Sequence, residues 1–304
     1  MRQLVVDSEQ AGRRMDNFLM TLMGNVPKSR VYQMVRKGEV RVNGRRVRAD
    51  YRLEPNDRVR VPPVRLESPR DIRPPGDKAK DLLAGRILYR DDALMVINKP
   101  SGMAVHGGSG VNLGVIETLR ALFPDLRSLE LVHRLDRDTS GCLMVATKAS
   151  ALRRLHALLR QGEIGKTYLT LVAGNWKGGV VRQALVKNVM HGGERIVRVS
   201  AAGKAAVSTF SPVRQFAAAC LMEVELGTGR THQIRVHAAH EGHPVAGDEK
   251  YGDVNCNRKM REFGLRRLFL HAARLAIPAS EGRDAVTVMA PLPPELQRVL
   301  DGLR

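Results

Sequence analysis

The sequence predicts an α+β protein in two domains: a small basic N-terminal module, and a larger domain built on a mixed, mostly antiparallel sheet flanked by helices. Three observations carry this expectation. The chain has 304 residues, room for one sizeable domain and a small one. Five prolines (Pro62, Pro63, Pro69, Pro74, Pro75) punctuate residues 62–85 among charged side chains, the composition of a semi-extended linker. Beyond it, strand-like runs outnumber helical ones. Several are separated by turns too short for a crossover, so neighbouring strands run antiparallel. The expected boundaries are 1–61 for the module, 62–85 for the linker and 86–304 for the large domain.

Within the module, Asp16 can cap a short helix carrying Phe18, Leu19 and Leu22. Ser29 can cap a second over 30–37, with Gly38 as its stop. Val40 and Val42 then alternate with Arg41, Asn43-Gly44 supplies a turn, and Val47 opens a further strand-like stretch. Val59 and Val61 alternate around Arg60. In the large domain, strands are expected at 94–98, 142–146, 167–172, 195–199, 205–210 and 221–226. Helices are expected at 149–160, 231–240 and 294–303.

Charge narrows the partners. Lys and Arg total 50 against 31 acidic residues, a net charge of +19 and a pI near 10.6. That balance favours phosphate neutralisation and steering toward nucleic acid. Residues 12–61 alone hold thirteen Lys or Arg against five Asp or Glu. The three cysteines, Cys142, Cys220 and Cys256, form no Cys-x-x-Cys pair, so neither a disulfide framework nor a cysteine zinc site is suggested. The first residues carry no signal-peptide core and no apolar run reaches membrane-span length. A cytoplasmic, monomeric protein with no membrane role is the expectation.

Cofactor motifs fail on inspection. Gly165-Lys166-Thr167 is not a phosphate loop, because Arg160 stands where the first glycine is needed. Gly108-Ser109-Gly110 lacks the third glycine of a dinucleotide fingerprint, since Leu113 occupies that position. His237, His240 and His243 have helical spacing, but Gly242 and Pro244 break the run and no cysteine joins them. RNA contact or packing against the sheet fits them better than a metal. The expectation is no metal, no organic cofactor and no bound nucleotide cofactor.

One stretch speaks of chemistry: His133-Arg134-Leu135-Asp136-Arg137-Asp138-Thr139-Ser140-Gly141. It sets Asp136 between two arginines and runs into the apolar Cys142-Leu143-Met144-Val145-Ala146. Nearby guanidinium charge favours an ionised carboxylate, a group suited to act as nucleophile or base. Arg230 is the expected partner of Asp136. It lies just before Thr231, read as a helix N-cap whose positive end adds to its field.

This stretch resembles the catalytic motif of the pseudouridine synthases that modify bacterial large-subunit ribosomal RNA. Asn98-Lys99-Pro100-Ser101-Gly102-Met103-Ala104-Val105-His106 resembles that family's Lys-Pro motif. Gly229-Arg230-Thr231-His232-Gln233-Ile234-Arg235-Val236-His237 resembles its basic motif, and Leu268-Phe269-Leu270-His271-Ala272 a further one. The N-terminal module resembles an S4 RNA-binding domain, which would present Lys28, Arg30, Arg36, Lys37, Arg41 and Arg45 to RNA.

The resemblance implies an isomerase that converts uridines of 23S ribosomal RNA, or of a large-subunit assembly intermediate, to pseudouridine as a stand-alone enzyme. It implies Asp136 as the essential carboxylate, acting either at C1′ or on a sugar proton. It implies Tyr168 as the aromatic that stacks on uracil and can later act as base, and Leu270 as an apolar neighbour of the base. Arg134 would fill the space vacated by a flipped uridine, while Lys99 and His106 would shape RNA binding. Alternatives are the same reaction on other rRNA or tRNA uridines, a non-catalytic assembly factor, or a hydrolase of the glycosidic bond.

Overall fold

The computed structural model describes residues 2–23, 26, 28–63, 75–107, 113–126, 128–191 and 194–303, with side chains omitted for 2, 28, 29, 188–191, 194 and 195. The chain divides into two compact units, Met1–Pro74 and Pro75–Arg304.

The first unit contains β1 (Arg2–Val5), α1 (Met15–Met23), α2 (Lys28–Lys37), β2 (Arg41–Val42) and β3 (Arg58–Val61). The strands form an antiparallel sheet in the order β1-β3-β2. Met15, Leu19, Val31, Met34, Val40 and Val59 are fully buried between sheet and helices. Asn43 and Gly44, both at positive φ, make the tight turn the sequence suggests, with Val42 and Arg45 exchanging backbone hydrogen bonds of 3.0 and 2.8 Å. Left-handed backbone at both turn positions is what Asn-Gly tolerates.

Three expectations are corrected here. Val47 does not open a strand, and β3 takes the place beside β2. The carbonyls of Ala49 and Tyr51 instead accept the first N–H groups of α1, from Asp16 and Met15. Asp16 lies inside the first turn of α1 and is not its cap. Its buried carboxylate accepts the Arg14 guanidinium at 2.7 Å and the Tyr32 hydroxyl at 3.1 Å. Ser29 falls within α2, which begins at Lys28.

The second unit runs α3 (Asp77–Ala84), β4 (Ile87–Arg90), β5 (Leu94–Lys99), α4 (Val115–Leu122), β6 (Glu130–Leu131), β7 (Ser140–Ala146), α5 (Ala149–Gln161), β8 (Gly165–Ala173) and β9 (Gly179–Arg182). It continues with β10 (Leu185–His191), β11 (Glu194–Val199), β12 (Val207–Gln215), β13 (Ala219–Leu226), α6 (Gln233–His240), α7 (Val254–Glu262), β14 (Leu270–Ile277), β15 (Val286–Met289) and α8 (Pro294–Gly302). One sheet holds most strands, in the order β4-β5-β7-β14-β8-β13-β12-β9, with β15 on β14 and β6 on β7. Among the described residues every pairing in it is antiparallel except β7 with β14. The β10–β11 hairpin stands apart. No helix among the described residues is long and apolar enough to cross a membrane.

Strand β7 is buried along its whole length. Alternate residues serve two cores: Leu143 and Val145 join Tyr168, Ile234 and Leu270, while Met144 joins Val96, Leu155 and Leu275. A strand covered on both faces reads as an unbroken apolar run, which is why 142–146 is legible as a strand. At the start of β7, Gly141 has φ +108°, and a β-carbon there would collide with the Ala272 carbonyl of β14. The parallel pair can close only around glycine.

Helix α3 corrects the linker expected at 62–85. Its Leu83 is fully buried and packs in the core that holds Ile116 and Leu119 of α4. The five prolines all precede Gly76, so averaging composition over the segment hid a short amphipathic helix behind them.

Candidate active site

The loop from β6 to β7 carries Asp136, and three anchors fix it. His133 Nε2 accepts the Met144 N–H at 3.0 Å. Burial lowers the His133 pKa to about 4, so the imidazole stays neutral and keeps its acceptor lone pair. Leu135 is buried in the core. The third anchor is Lys99, which has no exposed surface. Its Nζ donates to the carbonyls of Pro100 at 2.8 Å, Met103 at 2.7 Å and Arg137 at 2.9 Å. An ammonium group has three donors, and all three are used. Burial lowers the Lys99 pKa to about 7.

Ser101 Oγ donates to the Asp138 carbonyl at 2.7 Å, and Gly102 and Arg137 exchange two further bonds of 2.9 Å. The Lys-Pro segment is therefore a cradle for the Asp136 loop. Lys99 does not shape RNA binding by contact, as the sequence suggested, because nothing outside the protein can touch it. His106 is exposed.

The Asp136 carboxylate is one-fifth exposed, with Oδ2 at 3.4 Å from Arg235 Nη1 and 3.7 Å from His232 Nε2. Arg235 is itself clamped. Its Nε and Nη2 donate to the two oxygens of Asp248 at 2.7 and 2.8 Å, a bidentate geometry that fixes the guanidinium plane. Its Cζ lies 5.0 Å from the centre of the Tyr251 ring. Asp248 is fully buried and also accepts the N–H groups of Lys250 and Tyr251 at 2.9 and 3.0 Å. Burial works against the Asp248 charge, but the Arg235 hydrogen bonds outweigh it and hold the carboxyl below its usual range.

His232 caps α6 with left-handed backbone, φ +53°, a conformation uncommon outside glycine and frequent at functional sites. Its Nδ1 is 2.8 Å from the Tyr251 hydroxyl, which accepts the Val197 N–H at 3.0 Å. Burial lowers the His232 pKa more than the Asp136 charge raises it. His232 is therefore neutral at physiological pH, and the positive charge against Asp136 comes from Arg235.

This corrects the expected pairing of Arg230 with Asp136. Arg230 is exposed, and its Nε donates to the Ala205 carbonyl at 3.1 Å. Helix α6 begins at Gln233, two residues later than expected. The Gln233 side chain accepts from Thr228 Oγ1 and Arg230 N, and donates to the Val207 carbonyl and Ser208 Oγ, tying the segment before the helix to β12. His232 and Arg235 are three apart across the first helical turn and share a face. That spacing is the available sequence signal for Arg235. Asp248 and Tyr251 have no local signal, because they meet Arg235 through the tertiary fold.

Residues far apart in sequence close around Asp136. Arg134, Tyr168, Leu226, Arg230 and Leu270 line one cleft with it, of about 60 Å³. The cleft shares Arg134, Asp136, His232 and Arg235 with a larger groove of about 670 Å³. Tyr168 lies on β8 and Leu270 opens the neighbouring β14. Burial first, then the Asp136 charge, raise the Tyr168 hydroxyl far above its ordinary pKa, so it is a neutral phenol. Arg134 is exposed at the rim.

In the first unit, Arg36, Lys37 and Arg45 are exposed with no side-chain partner among the described residues. Arg36 lines a groove with Arg14, Tyr32, Arg46 and Arg48, four residues that carry no motif of their own. Arg30 is occupied by Glu39 and Gln33, both at 3.1 Å, and Arg41 by the carbonyls of Gly38 and Gly44. Neither of these two presents a free guanidinium. The Lys28 side chain lies outside the described residues. His237 is fully buried between Ser208 Oγ and the Gln183 carbonyl, and His243 stacks on Trp176.

The chain is similar to known proteins along its length. Residues 93–240 match the family model for RNA pseudouridylate synthase, and residues 13–59 match that of the S4 domain. Ribosomal large subunit pseudouridine synthase C of Pasteurella multocida (strain Pm70) is 49% identical over 308 residues, covering 100% of this chain and 94% of the relative. The protein of the same description from Escherichia coli (strain K12) is 50% identical over 306 residues, covering 99% and 96%. Human RNA Pseudouridylate Synthase Domain Containing 4 superposes with a TM-score of 0.62 at 28% identity, covering 74% of this chain and 95% of that one. With a match of this depth running end to end, the chain belongs to the RNA pseudouridylate synthase family, whose members are isomerases.

Proposed function

We propose that this protein isomerises uridines of large-subunit ribosomal RNA to pseudouridine, with Asp136 as the essential carboxylate and without a partner protein. The observation that carries the reading is the Asp136–Arg235 pair at the mouth of a cleft shared with Tyr168 and Leu270. The substrate follows from relatives described as large-subunit synthases that match this chain along its length.

The reaction breaks the N1–C1′ bond and forms a C5–C1′ bond. A proton leaves C5 and one is gained at N1, so atoms balance and nothing is oxidised. A uridine within folded RNA must first swing out of its stack, at about a few kcal/mol. Arg134, exposed at the rim, is suited to occupy the space it leaves. Asp136 then faces the sugar with Arg235 on its Oδ2, while its other oxygen makes no hydrogen bond among the described residues. Tyr168 and Leu270 bracket the base with apolar surface and keep it in place after the glycosidic bond opens. Tyr168, as a neutral phenol, stacks and donates in this state. Arg230 contributes a phosphate contact from the outer wall.

Mapping pseudouridines in ribosomal RNA from cells lacking the protein tests the reading. Particular large-subunit uridines are expected to lose the modification, regain it with the wild-type chain, and stay unmodified with Asp136→Asn. Restoration by Asp136→Asn, or a loss confined to transfer RNA, would refute it.

A further inference from the structure

A second pocket adjoins the active-site cleft, and nothing in the chemistry at Asp136 uses it. It lies between the base of the β10–β11 hairpin and the Gly229-Arg230-Thr231 segment, with a volume of about 340 Å³. Its apolar surface comes from Leu185, Val186 and Val197, and its cations are Lys187, Lys204 and Arg230. Among the described residues no carboxylate lines it, in contrast to the larger groove that shares Asp136, which carries Asp138, Asp248 and Glu249. Lys187 and Lys204 have no side-chain partner among the described residues.

The walls are built. Leu185 and Lys204 exchange backbone hydrogen bonds of 2.9 Å, and Gly203 packs so close to the Leu185 backbone that a β-carbon would not fit. Val197 is pinned through its N–H to the Tyr251 hydroxyl, the group that also meets His232 beside Asp136. Among the described residues Arg230 alone lines both this pocket and the Asp136 cleft.

An apolar floor flanked by cations, with no acid in its described lining, suits a flat base attached to phosphates. A cation shared by two adjoining pockets suits the phosphate that joins two consecutive nucleotides. We propose that this pocket receives the nucleotide directly neighbouring the target uridine, its base against Leu185, Val186 and Val197 and its phosphates on Lys187, Lys204 and Arg230, and that it thereby selects which uridines are modified. The proposal rests on the reading of the Asp136 cleft as the site of RNA isomerisation.

The test compares wild type, Ala202→Trp, which fills the pocket from an exposed turn, and Lys204→Met, which removes one cation and keeps the stem. Each is assayed on a large-subunit rRNA fragment containing a mapped target, and on versions in which the nucleotide 5′ or 3′ of that uridine is abasic. For wild type, one abasic neighbour should raise KM about tenfold with kcat within about twofold, as expected for binding shared by ground and transition states. Ala202→Trp should raise KM similarly on intact RNA and lose nothing further on that abasic RNA. Lys204→Met should raise KM and rule out misfolding of the tryptophan variant as the cause. Pseudouridine formation indifferent to both abasic neighbours and to both variants would overturn the pocket assignment alone. A wild-type protein that forms no pseudouridine in any large-subunit rRNA would overturn the proposed function and this inference with it.

Discussion

Two arginines of one short segment have different work because one is clamped and the other is not. Arg235 gives one edge of its guanidinium, Nε and Nη2, to a buried carboxylate and lies over Tyr251, so its remaining nitrogen arrives at Asp136 in a fixed orientation. Arg230 is exposed and held by one carbonyl. Replacing each by lysine keeps the charge and removes the fork. Arg235→Lys is expected to lower kcat by about a hundredfold, since a misplacement of about 1 Å at the reacting centre has effects of that size. Arg230→Lys should mainly raise KM, leaving kcat within about threefold. Steady-state kinetics on an rRNA substrate decide this, and equal kcat losses in the two variants would restore Arg230 as the partner of Asp136. Asp136, Tyr168 and Leu270 are legible in the sequence because each sits in a recognisable run. The clamp is not, because Asp248 and Tyr251 reach Arg235 only across the folded chain.

At the scale of elements, the parallel junction of β7 and β14 sets the Asp136 loop, and two histidines, His133 and His271, hold it. His271 lies within β14, with Nδ1 2.9 Å from Ser140 Oγ and Nε2 3.1 Å from the Ala290 carbonyl. Nε2 therefore carries the proton, the carbonyl being able only to accept. Ser140 Oγ in turn accepts from Arg267 at 3.0 Å. Burial lowers both His271 and His133 to about 4. In the unfolded chain they titrate at about 6.5, so between these values the unfolded state binds more protons. Stability from these groups is full above about pH 6.5 and is lost as pH falls toward 4. The midpoint of thermal unfolding should drop across that window. Imidazole resonances of His133 and His271 that titrate above pH 6 would contradict the buried neutral assignment. Strand β14 itself is not legible in the sequence: Leu-His-Ala-Ala-Arg-Leu-Ala-Ile has few β-branched residues, and only its neighbours β7, β8 and β15 make it a strand. The runs 94–98, 142–146 and 167–172 are legible because burial on both faces leaves a continuous apolar signature.

For the whole molecule, the prediction is that the two units divide affinity from chemistry. The Asp136 cleft and its clamp lie wholly within the second unit, where Leu83 packs in one core with Tyr168 and Leu270, and Phe269 in another with Leu296 and Val299 of α8. The first unit carries exposed Arg36, Arg45 and Arg46 along its grooves and exposed Lys37 besides, none with a side-chain partner among the described residues. Cations without protein partners are available to phosphate, and phosphate contacts set the salt dependence of binding. A chain beginning at Pro75 should fold, since α3 and everything after it buries its own core. It should bind an rRNA substrate more weakly, with the log–log slope of affinity against salt shallower by about 0.7–0.9 for each phosphate that the first unit neutralises. At saturating RNA its kcat should remain within a few fold of the full chain, because no group at Asp136 has been removed. A truncated protein with the full salt slope would place the RNA contacts on the second unit instead, and one with normal affinity but abolished kcat would mean that the first unit takes part in the chemistry.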